Sequence, residues 1–326
     1  MPAQYRIAFW NLENLFDVEG SPRREEKVAR AVGSDIKGWT QVLLDRKISQ
    51  LASIIKEMGI NKGPDLLGVC EVENRFVLEL LVQALAPLGR NYQIIHHDTL
   101  DRRGIDVAFI YDGNQFSVPS GPGVESVFSH FVLRRNATRD IVQVNFMTKK
   151  NRMLVVMGNH WPSRTGGESE SAAYRAMAGE TLAYFHERVL QIYGDATPVL
   201  ALGDFNDEPF NTSLVDYALA DRSADKVIRG RNPYFNNLMW PMMGKGLGTH
   251  YFDGPNMLDN ILVNKNLLKA ASPIKVKPNS ANILRYAAMT DKASGGPRRF
   301  GGMGKAVDQS GFSDHFPVEV VLTEDD

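Results

Sequence analysis

Polar residues of the kinds used in catalysis follow strand-like apolar runs at several points of this chain. Asn11, Glu71 and His160 each end such a run. Asp204 and Asn206 end another, and their spacing places both side chains on one side of a strand end, where they can position water and a phosphate oxygen. A polar group that is buried without a partner costs free energy. The recurrence of these residues at strand ends therefore indicates that the ends meet at one site.

Three of these residues have alternative interpretations. Asn11 fits a turn as well as a functional site, and His160 fits a hydrogen-bonded histidine of the core. Glu71 closes a buried strand and is well placed to bind a hard cation through oxygen, although an ion pair would also explain it. Glu73, two residues later, points to the same side of an extended chain and is the competing metal ligand.

Two further segments carry an aspartate and a histidine. Asp259 interrupts the apolar run Met257–Val263, so it needs a polar partner, and histidine is the usual partner where chemistry is involved. Asp314 and His315 are adjacent, so their side chains can diverge. We expect Asp314 to face a metal ion and His315 to face Asp259 and the substrate.

The apolar periodicity predicts nine strands and three helices to position these residues. Helical spacing of apolar residues covers Leu44–Met58 and Val77–Leu85, the second with Asn74 as its N-cap, and a third helix runs roughly from Ser169 to Tyr193. The strands are rich in Val, Ile and aromatic residues and span Arg6–Leu12, Asp65–Val72, Tyr92–His97, Ile105–Tyr111, Asp140–Thr148, Arg152–Trp161, Pro198–Phe205, Met257–Val263 and Pro317–Leu322.

The order of these elements predicts the fold class. Helices fall early and in the middle of the chain, whereas consecutive strands elsewhere favour antiparallel pairing. This mixed order predicts packed β-sheets with helices outside them, rather than a doubly wound parallel sheet. We find no internal repeat and no interdomain linker, so residues 1–326 are expected to form one large α/β domain.

Three stretches carry weak patterns, namely Val18–Gly38, Arg229–Gly248 and Thr290–Gly311. The last is rich in Gly, Lys and Arg and precedes the segment of Asp314 and His315. It is interpreted either as a flexible surface loop or as a mobile loop that contacts substrate.

Composition and charge place few limits on function. The formal net charge of −1 gives no global electrostatic reason for a nucleic-acid or membrane partner, although a local basic rim can still serve an enzyme. The single cysteine, Cys70, cannot form an internal disulfide, which agrees with a reducing compartment. No signal-like segment and no apolar run of roughly 18–20 residues occurs. We therefore expect a soluble, cytoplasmic monomer, although a removed signal peptide would leave the same pattern.

Taken together, the motifs resemble those of the endonuclease/exonuclease/phosphatase superfamily, the fold of pancreatic-type deoxyribonuclease and the AP endonucleases. The resemblance spans Asn11 to Pro317, and its motifs are, in order, Trp-Asn, Cys-Glu-Val, Asn-His-Trp, Gly-Asp-Phe-Asn, Leu-Asp-Asn-Ile-Leu and Ser-Asp-His-Phe-Pro-Val. It implies a four-layer α/β/β/α sandwich of two mixed β-sheets flanked by helices. The site is then expected at one edge of the sandwich.

The resemblance also implies which residues bind a metal ion. Glu71 matches the principal metal carboxylate, and Asp314 matches a further carboxylate on the metal side. Asn11 matches the nearby amide that contacts the metal or the phosphate. The implied cofactor is Mg²⁺ or Mn²⁺, which suits a sparse set of oxygen ligands.

The remaining motifs match residues that act on water and phosphate. Asp204 and Asn206 match the pair that orients the attacking water and holds the phosphate. His160 matches a phosphate-binding histidine, and Asp259 with His315 matches the Asp–His dyad treated as general base. The implied reaction is in-line hydrolysis of a phosphodiester, in which either Asp204 or His315 is the base.

One position departs from the family pattern. In deoxyribonuclease-like members a glutamate supports the first histidine from the strand that reads here Arg103–Val107. No glutamate occurs there, so Asp106 is the candidate for that role, with a structural ion pair as the alternative. Arg103 itself is a candidate phosphate contact.

The predicted substrate is DNA or RNA, because the segment Asn159–Arg164 most resembles bacterial nuclease-like members. Arginines that could form a basic rim for a nucleic-acid backbone are Arg102, Arg103, Arg164, Arg298 and Arg299, although scattered arginines also fit an ordinary solvated surface. The alternatives are a phosphatase or phosphodiesterase on a small-molecule, sugar or lipid phosphate, and a non-catalytic binding protein on the same fold.

Overall fold

The computed structural model describes residues 2–98, 105–132, 139–164 and 167–326. The strands in chain order are β1 (Ala3–Leu15), β2 (Leu66–Val72), β3 (Tyr92–His96), β4 (Asp106–Asp112), β5 (Phe116–Ser117), β6 (Val127–His130), β7 (Ile141–Thr148), β8 (Met153–His160), β9 (Val199–Asp204), β10 (Ala220–Asp221), β11 (Phe235–Asn237), β12 (His250–Tyr251), β13 (Pro255–Asn256), β14 (Asp259–Asn264), β15 (Ile274–Val276), β16 (Asn282–Ile283) and β17 (Val318–Glu324). The α-helices are α1 (Glu26–Val32), α2 (Gln41–Asn61), α3 (Arg75–Ala84), α4 (Glu168–Tyr193), α5 (Ala224–Arg229) and α6 (Trp240–Met243).

Two mixed sheets contain most of these strands. Sheet A has the order β15-β17-β1-β2-β4-β3, with β16 paired to β17, and sheet B has the order β10-β11-β14-β9-β8-β7-β5, with β6 paired to β7. β1 and β2 are parallel, as are β8 and β9, so in each sheet two carboxyl ends lie side by side. The short hairpin β12-β13 stands apart.

The main apolar core lies between the sheets and extends to the helices over sheet A. Phe109 of sheet A and Phe146 of sheet B meet edge to face, with their ring centroids 6.1 Å apart. A second apolar cluster joins the other face of sheet B to α4, through residues such as Met157 and Leu182. The two mixed sheets flanked by helices confirm the predicted α/β/β/α sandwich.

Local sequence explains where the helices over sheet A begin. The Thr40 hydroxyl accepts a hydrogen bond from the Leu43 N–H at the start of α2, and the Asn74 side chain accepts one from the Val77 N–H at the start of α3. These bonds satisfy N–H groups that have no partner within the helix. The N-cap predicted at Asn74 is therefore confirmed.

All nine predicted strands are present, with ends shifted by a few residues. The short strands, such as β5 and β12, were not predicted because two residues show no periodicity. Two of the weakly patterned stretches contain elements, α1 in the first and β11 with α6 in the second. Among the described residues, no helix combines the length and the apolar character that crossing a bilayer requires.

The third weak stretch is anchored rather than free. Phe300 is fully buried and its ring meets that of Trp39 edge to face. The backbone N–H groups of Phe300 and Gly301 both donate to the carboxylate of Glu13, at 2.7 and 3.1 Å. Since Met303 and Lys305 line the cleft described below, this loop forms one wall of the site.

Candidate active site

Three polar residues lie next to one another across the edge of sheet B. His160 at the end of β8 is in register with Asp204 at the end of β9, and Asp259 at the start of β14 is in register with Asp204 from the other side. Residues in register point to the same face of a sheet. Pairing of the three strands therefore brings together side chains that are 44 and 55 positions apart in the sequence.

Sheet A contributes Asn11 from β1 and Glu71 from β2. The Asn11 Nδ2 donates to Glu71 Oε1 at 3.2 Å and to Asp204 Oδ2 at 3.1 Å. Its Oδ1 accepts a hydrogen bond from the Glu13 N–H at 2.9 Å. The amide nitrogen, not the oxygen, thus faces the carboxylates, so Asn11 holds Glu71 and Asp204 together across the two sheets.

A bulge in β2 explains why Glu71 and Glu73 have separate surroundings. Glu71 has a left-handed φ of 61°, and pairing to β4 shifts register between Cys70 and Val72. A bulge of this kind re-aims a side chain, and the Asn14 N–H holds Glu71 Oε2 at 2.9 Å. Glu73 instead forms a buried ion pair with Arg24 at 2.8 Å. Of the two carboxylates, Glu71 lines the cleft.

His315 is held from three directions. Its Nδ1 is 2.6 Å from Asp259 Oδ2, and its backbone oxygen accepts a hydrogen bond from the Trp10 indole at 2.8 Å. Its Nε2 lies 3.9 Å from Asp204 Oδ2. Asp259 thus orients the ring, and the gap between Nε2 and Asp204 is wide enough for one water molecule to contact both groups.

His160 stands on the opposite side of Asp204. Its Nε2 lies 3.8 Å from Asp204 Oδ2 and 3.7 Å from Glu71 Oε1. The same edge of the fold therefore brings together His160, His315 and two carboxylates within a few ångströms of each other.

Burial and mutual charge shift the pKa values of the central groups. Burial raises the pKa of Asp204 to about 7, with Asp259 and Glu71 adding to the effect and His315 opposing it. For His315, burial opposes the charged form, but Asp259 and Asp204 together raise its pKa well above the ordinary value. His250, whose ring centroid is 4.9 Å from that of His315, has its pKa lowered to about 4 by burial and by His315.

A second acidic group consists of Glu13 and Asp314. Asp314 lines the cleft. Burial is the main cause that raises the pKa of Glu13 to about 7, and the negative charge of Asp314 adds to the effect. Lys47 is fully buried beneath, and its ammonium group donates to the Glu13 backbone oxygen. Burial lowers the pKa of Lys47, while Glu13, Asp314 and Glu71 oppose that effect. Lys47 is the counter-charge of this acidic cluster.

Asn206 and Arg164 bind each other rather than pointing freely into the cleft. Asn206 has a φ of 51°, its N–H donates to Asp204 Oδ1 at 2.9 Å, and its Nδ2 donates to the Trp161 oxygen at 3.0 Å. Arg164 donates through Nε to the Asn206 oxygen at 2.8 Å and pairs with Asp207 at 3.2 Å. Both residues line the cleft, and these bonds fix the turn that follows Asp204.

Of the other arginines predicted to form a basic rim, the two that the structure describes, Arg298 and Arg299, are not brought to the cleft. Arg298 pairs with Asp308 at 2.9 Å on a half-exposed surface, and Arg298 and Arg299 do not line the cleft. Arg102 and Arg103 lie outside the described residues. Among the described residues, the rim therefore differs from the expected row of arginines.

Asp106, the candidate support for His160, has a different partner close by. Its Oδ2 lies 3.2 Å from Nε2 of His96, the last residue of β3. The neighbouring residue Val107 is the one that approaches β8, at Gly158. Alternation along a strand then places Asp106 on the face away from β8.

The cleft has a volume of about 1000 Å³ and crosses the edges of both sheets. Sequence reasoning missed several of its lining residues, among them His250, Phe252 and Arg139. His250 and Phe252 belong to a hairpin of two-residue strands, so no periodic pattern marks them. Lys305 lies in the loop Thr290–Gly311, for which a contact with substrate was one of the two interpretations. Glu13, which belongs to the second acidic group, could have been predicted as a neighbour of the site, because it stands two residues after Asn11.

The donor set fits a divalent cation. Glu71 Oε1 and Asp204 Oδ2 both lie within 3.2 Å of the Asn11 Nδ2, so two carboxylates approach each other at the cleft floor. Such crowding of negative charge calls for a positive partner. Oxygen donors of this type are those that Mg²⁺ and Mn²⁺ prefer.

Comparison with known proteins agrees with this architecture. The sequence profile described as "Endonuclease/Exonuclease/phosphatase family" matches residues 6–324. A search among curated proteins found no match.

Similar solved structures share the fold at low sequence identity. An endonuclease/exonuclease/phosphatase family protein from Bacteroides thetaiotaomicron is 16% identical, with a TM-score of 0.58 over 100% of this chain and 99% of that one. A mannosyl-6-phosphatase of the same species is 16% identical, with a TM-score of 0.56 over 98% and 99%. The human nocturnin catalytic domain, solved with a bound sulfate anion, is 16% identical, with a TM-score of 0.54 over 99% and 95%. With a profile match that spans almost its whole length, the chain belongs to the endonuclease/exonuclease/phosphatase family.

Proposed function

We propose that this protein is a divalent-metal-dependent phosphodiester hydrolase that acts as a single-domain monomer. The observation that carries the proposal is the convergence of Glu71, Asp204 and His315 where the edges of the two sheets meet, with Asn11 bonded to both carboxylates. Carboxylates and a charged histidine at a cleft are what hydrolysis of an anionic ester requires, because the charge of the ester repels a nucleophile.

Glu71 would hold Mg²⁺ or Mn²⁺ together with Asp314, and Asn11 would keep Glu71 in place. The bound ion would polarise a non-bridging oxygen and stabilise the charge that builds on phosphorus. Lys47 limits the repulsion among the carboxylates around this position.

Asp204 and His315 act on the attacking water. A water molecule between Asp204 Oδ2 and His315 Nε2 can contact both groups across their 3.9 Å separation. Asp204, whose pKa is raised to about 7, is matched to accept a proton near neutral pH. His315, kept protonated by Asp259 and Asp204, contacts the phosphate oxygens. His160 binds the phosphate from the other side, and Asn206 holds the turn that orients Asp204.

Nucleic acid is the first candidate substrate. Phe252 is 75% exposed on the hairpin that carries His250, and Phe252 and Lys305 both line the cleft. An exposed aromatic ring beside a phosphate-binding centre can stack a nucleobase, which is worth about 1–3 kcal/mol per base. Arg103 and Arg164 remain proposed contacts of the backbone phosphates.

A small phosphate ester is the second candidate, and the charge of the cleft favours it. Among the described lining residues, Arg164 is paired with Asp207 and Arg139 donates to the Trp161 oxygen at 3.1 Å. Carboxylates are numerous on the same walls, and besides those of the centre they include Asp35 and Glu168. A long polyanion needs a row of free cations, whereas a sugar phosphate does not.

A substrate panel tests the proposal. The purified protein is incubated in Mg²⁺ or Mn²⁺ with bis(4-nitrophenyl) phosphate, with supercoiled plasmid, with single-stranded RNA, and with sugar phosphates. Turnover of the aryl diester that stops in excess chelator supports the hydrolase. Plasmid nicking or RNA cleavage selects the first substrate class, and phosphate release from sugar phosphates selects the second.

The panel also contains the outcome that contradicts the proposal. Hydrolysis that continues unchanged in chelator would remove the metal from the mechanism. No turnover of any ester in Mg²⁺, Mn²⁺, Zn²⁺ or Ca²⁺, with a folded protein by circular dichroism, would favour a non-catalytic binding protein.

A further inference from the structure

A second group of ligand-type side chains lies where β3 ends and β4 begins. His96 ends β3, Asp98 follows it by two residues, and Asp106 opens β4. Because β3 and β4 are antiparallel with His96 opposite Ala108, the register extends Asp98 towards Asp106. The three side chains thus share one face of sheet A, and one potential ligand atom from each lies within 4.8 Å of the other two.

His96 supplies the observation that distinguishes this group from an acidic cluster. Its side chain is only 3% exposed, and its Nε2 has no hydrogen-bond partner among the described residues. That nitrogen points between two carboxylates, 3.2 Å from Asp106 Oδ2 and 3.9 Å from Asp98 Oδ1. A buried imidazole nitrogen without a hydrogen bond is costly, and a metal–nitrogen bond would satisfy it.

The spacing of the three atoms suits one metal ion. A zinc ion about 2.0–2.1 Å from each ligand in tetrahedral geometry separates neighbouring ligand atoms by roughly 3.3 Å. The two measured separations, 3.2 and 3.9 Å, are close to that value. One imidazole and two carboxylates favour a borderline cation such as Zn²⁺ over Mg²⁺, which avoids nitrogen ligands.

We propose that His96, Asp98 and Asp106 bind a Zn²⁺-type divalent cation at a site separate from the centre formed by Glu71, Asp204 and His315. A fourth ligand would be water, since Asp98 has a side chain that is 55% exposed. The ion would join the end of β3 to the start of β4, directly after Ile105, which lines the catalytic cleft.

The test measures bound metal rather than activity, so it does not depend on the proposed hydrolase function. The parent protein for this test is the full chain with Glu71→Gln, a substitution that weakens metal binding at the catalytic centre. It is stripped of metal with chelator and then dialysed against Zn²⁺. Bound zinc is counted by mass spectrometry. His96→Gln and Asp98→Asn, each added to this background, should bind one equivalent less than the parent.

His97→Gln is the matched control, because His97 is the neighbouring histidine and is exposed. It should bind as much zinc as the parent. Zinc should also raise the melting temperature of the parent and of His97→Gln, but not of Asp98→Asn. Asp98→Asn changes a half-exposed side chain, so it remains informative if His96→Gln fails to fold.

Two results would overturn the site. One is equal zinc content in the parent, His96→Gln and Asp98→Asn, which would leave a plain His96–Asp106 ion pair. The other is a parent that retains no zinc at micromolar free concentration. If the wild-type protein proved to have no hydrolase activity, the zinc measurements would still decide for or against this site.

Discussion

Several residues in the cleft and directly behind it have backbone conformations that cost free energy. Glu13, Asn14, Glu71 and Asn206 all have φ between 49° and 61°. Left-handed conformations are uncommon for residues other than glycine and persist where the surrounding structure enforces them. Each of these residues is fixed by hydrogen bonds of the site, such as those from Asn14 N–H to Glu71 and from Asn206 N–H to Asp204.

Residue substitutions test the roles of Asp204 and His315. We expect Asp204→Ala and His315→Ala each to lower kcat for an aryl phosphodiester by at least about 10²–10⁴-fold, the typical worth of positioned acid–base groups. Steady-state kinetics in saturating Mg²⁺ provide the measurement.

His250→Gln is the matched control for His315→Ala. His250 lies beside His315 but has its pKa lowered to about 4, so it is neutral at pH 7 and does not supply the positive charge assigned to His315. Its loss should cost no more than about tenfold in kcat, a small part of the range above. Residual activity above one tenth of wild type in either alanine variant, with an intact circular dichroism spectrum, would contradict the assigned roles.

At the residue scale, the sequence predicted the members of the site better than their contacts. The motifs identified Glu71, Asp204 and His315 because polar residues at the ends of apolar strands need an explanation. They favoured Glu71 over Glu73 but could not explain why the two side chains separate, since the bulge at Glu71 depends on pairing with β4. Nor could they show that Asp106 approaches His96, because that contact depends on the register of β3.

At the scale of elements, length decided what could be predicted. β2 is a seven-residue apolar run that is buried almost throughout, so composition alone marks it as a strand. The hairpin β12-β13, which carries His250 to the cleft, has two residues in each strand. Only its tertiary contacts, including the bridge from His250 to His315, make it recognisable.

Helix α4 contains a buried histidine that should make the protein sensitive to acid. His186 is fully buried, its ring stacks on Phe235 with centroids 4.1 Å apart, and burial lowers its pKa to about 3. In the unfolded chain His186 becomes protonated below pH 6.5, its ordinary pKa. In the folded chain it stays neutral until the pH approaches 3. Stability from this residue is therefore present above pH 6.5 and is lost as the pH falls through that window.

We expect His186→Gln to reduce the acid dependence of the free energy of unfolding. Between pH 6 and pH 4 the wild type should lose up to about 1.4 kcal/mol more per pH unit than the variant. Urea unfolding at several pH values measures both slopes. The comparison uses slopes because the substitution also changes packing at every pH. Equal slopes would show that folding does not lower the pKa of His186.

At the scale of the whole molecule, close contact between the two sheets depends on glycine. A Cβ added to Gly158 of β8 would lie 2.6 Å from Val107 Cγ1 and 2.8 Å from Phe109 Cζ, both on sheet A. We expect Gly158→Ala to lower the free energy of unfolding by about 1–3 kcal/mol, the usual cost of overpacking a core. Gly244→Ala is the control, because its nearest contact would be 3.4 Å away on an exposed turn. A Gly158→Ala protein as stable as wild type would show that the sheets separate easily.

Carboxylates are concentrated in the cleft where the edges of the two sheets meet. Those of Glu71, Asp204 and Asp314 all line the cleft. The ammonium group of Lys47 lies near them but is fully buried and does not line the cleft. In the absence of a bound cation these carboxylates repel one another, which opposes the approach of sheet A to sheet B. Binding of a divalent ion by the folded state should therefore stabilise the whole fold and not the cleft alone.

Magnesium should accordingly raise the melting temperature. At about 100 times its dissociation constant a ligand stabilises the folded state by roughly 2.7 kcal/mol, which corresponds to about 4 °C for a chain of this length. Differential scanning fluorimetry with Mg²⁺ titrated into stripped protein measures the shift. Glu71→Gln should abolish it, whereas Glu73→Gln, which alters the ion pair with Arg24, should keep it despite a lower starting temperature. If both variants respond to Mg²⁺ as the wild type does, the ion that stabilises the protein does not bind between the two sheet edges.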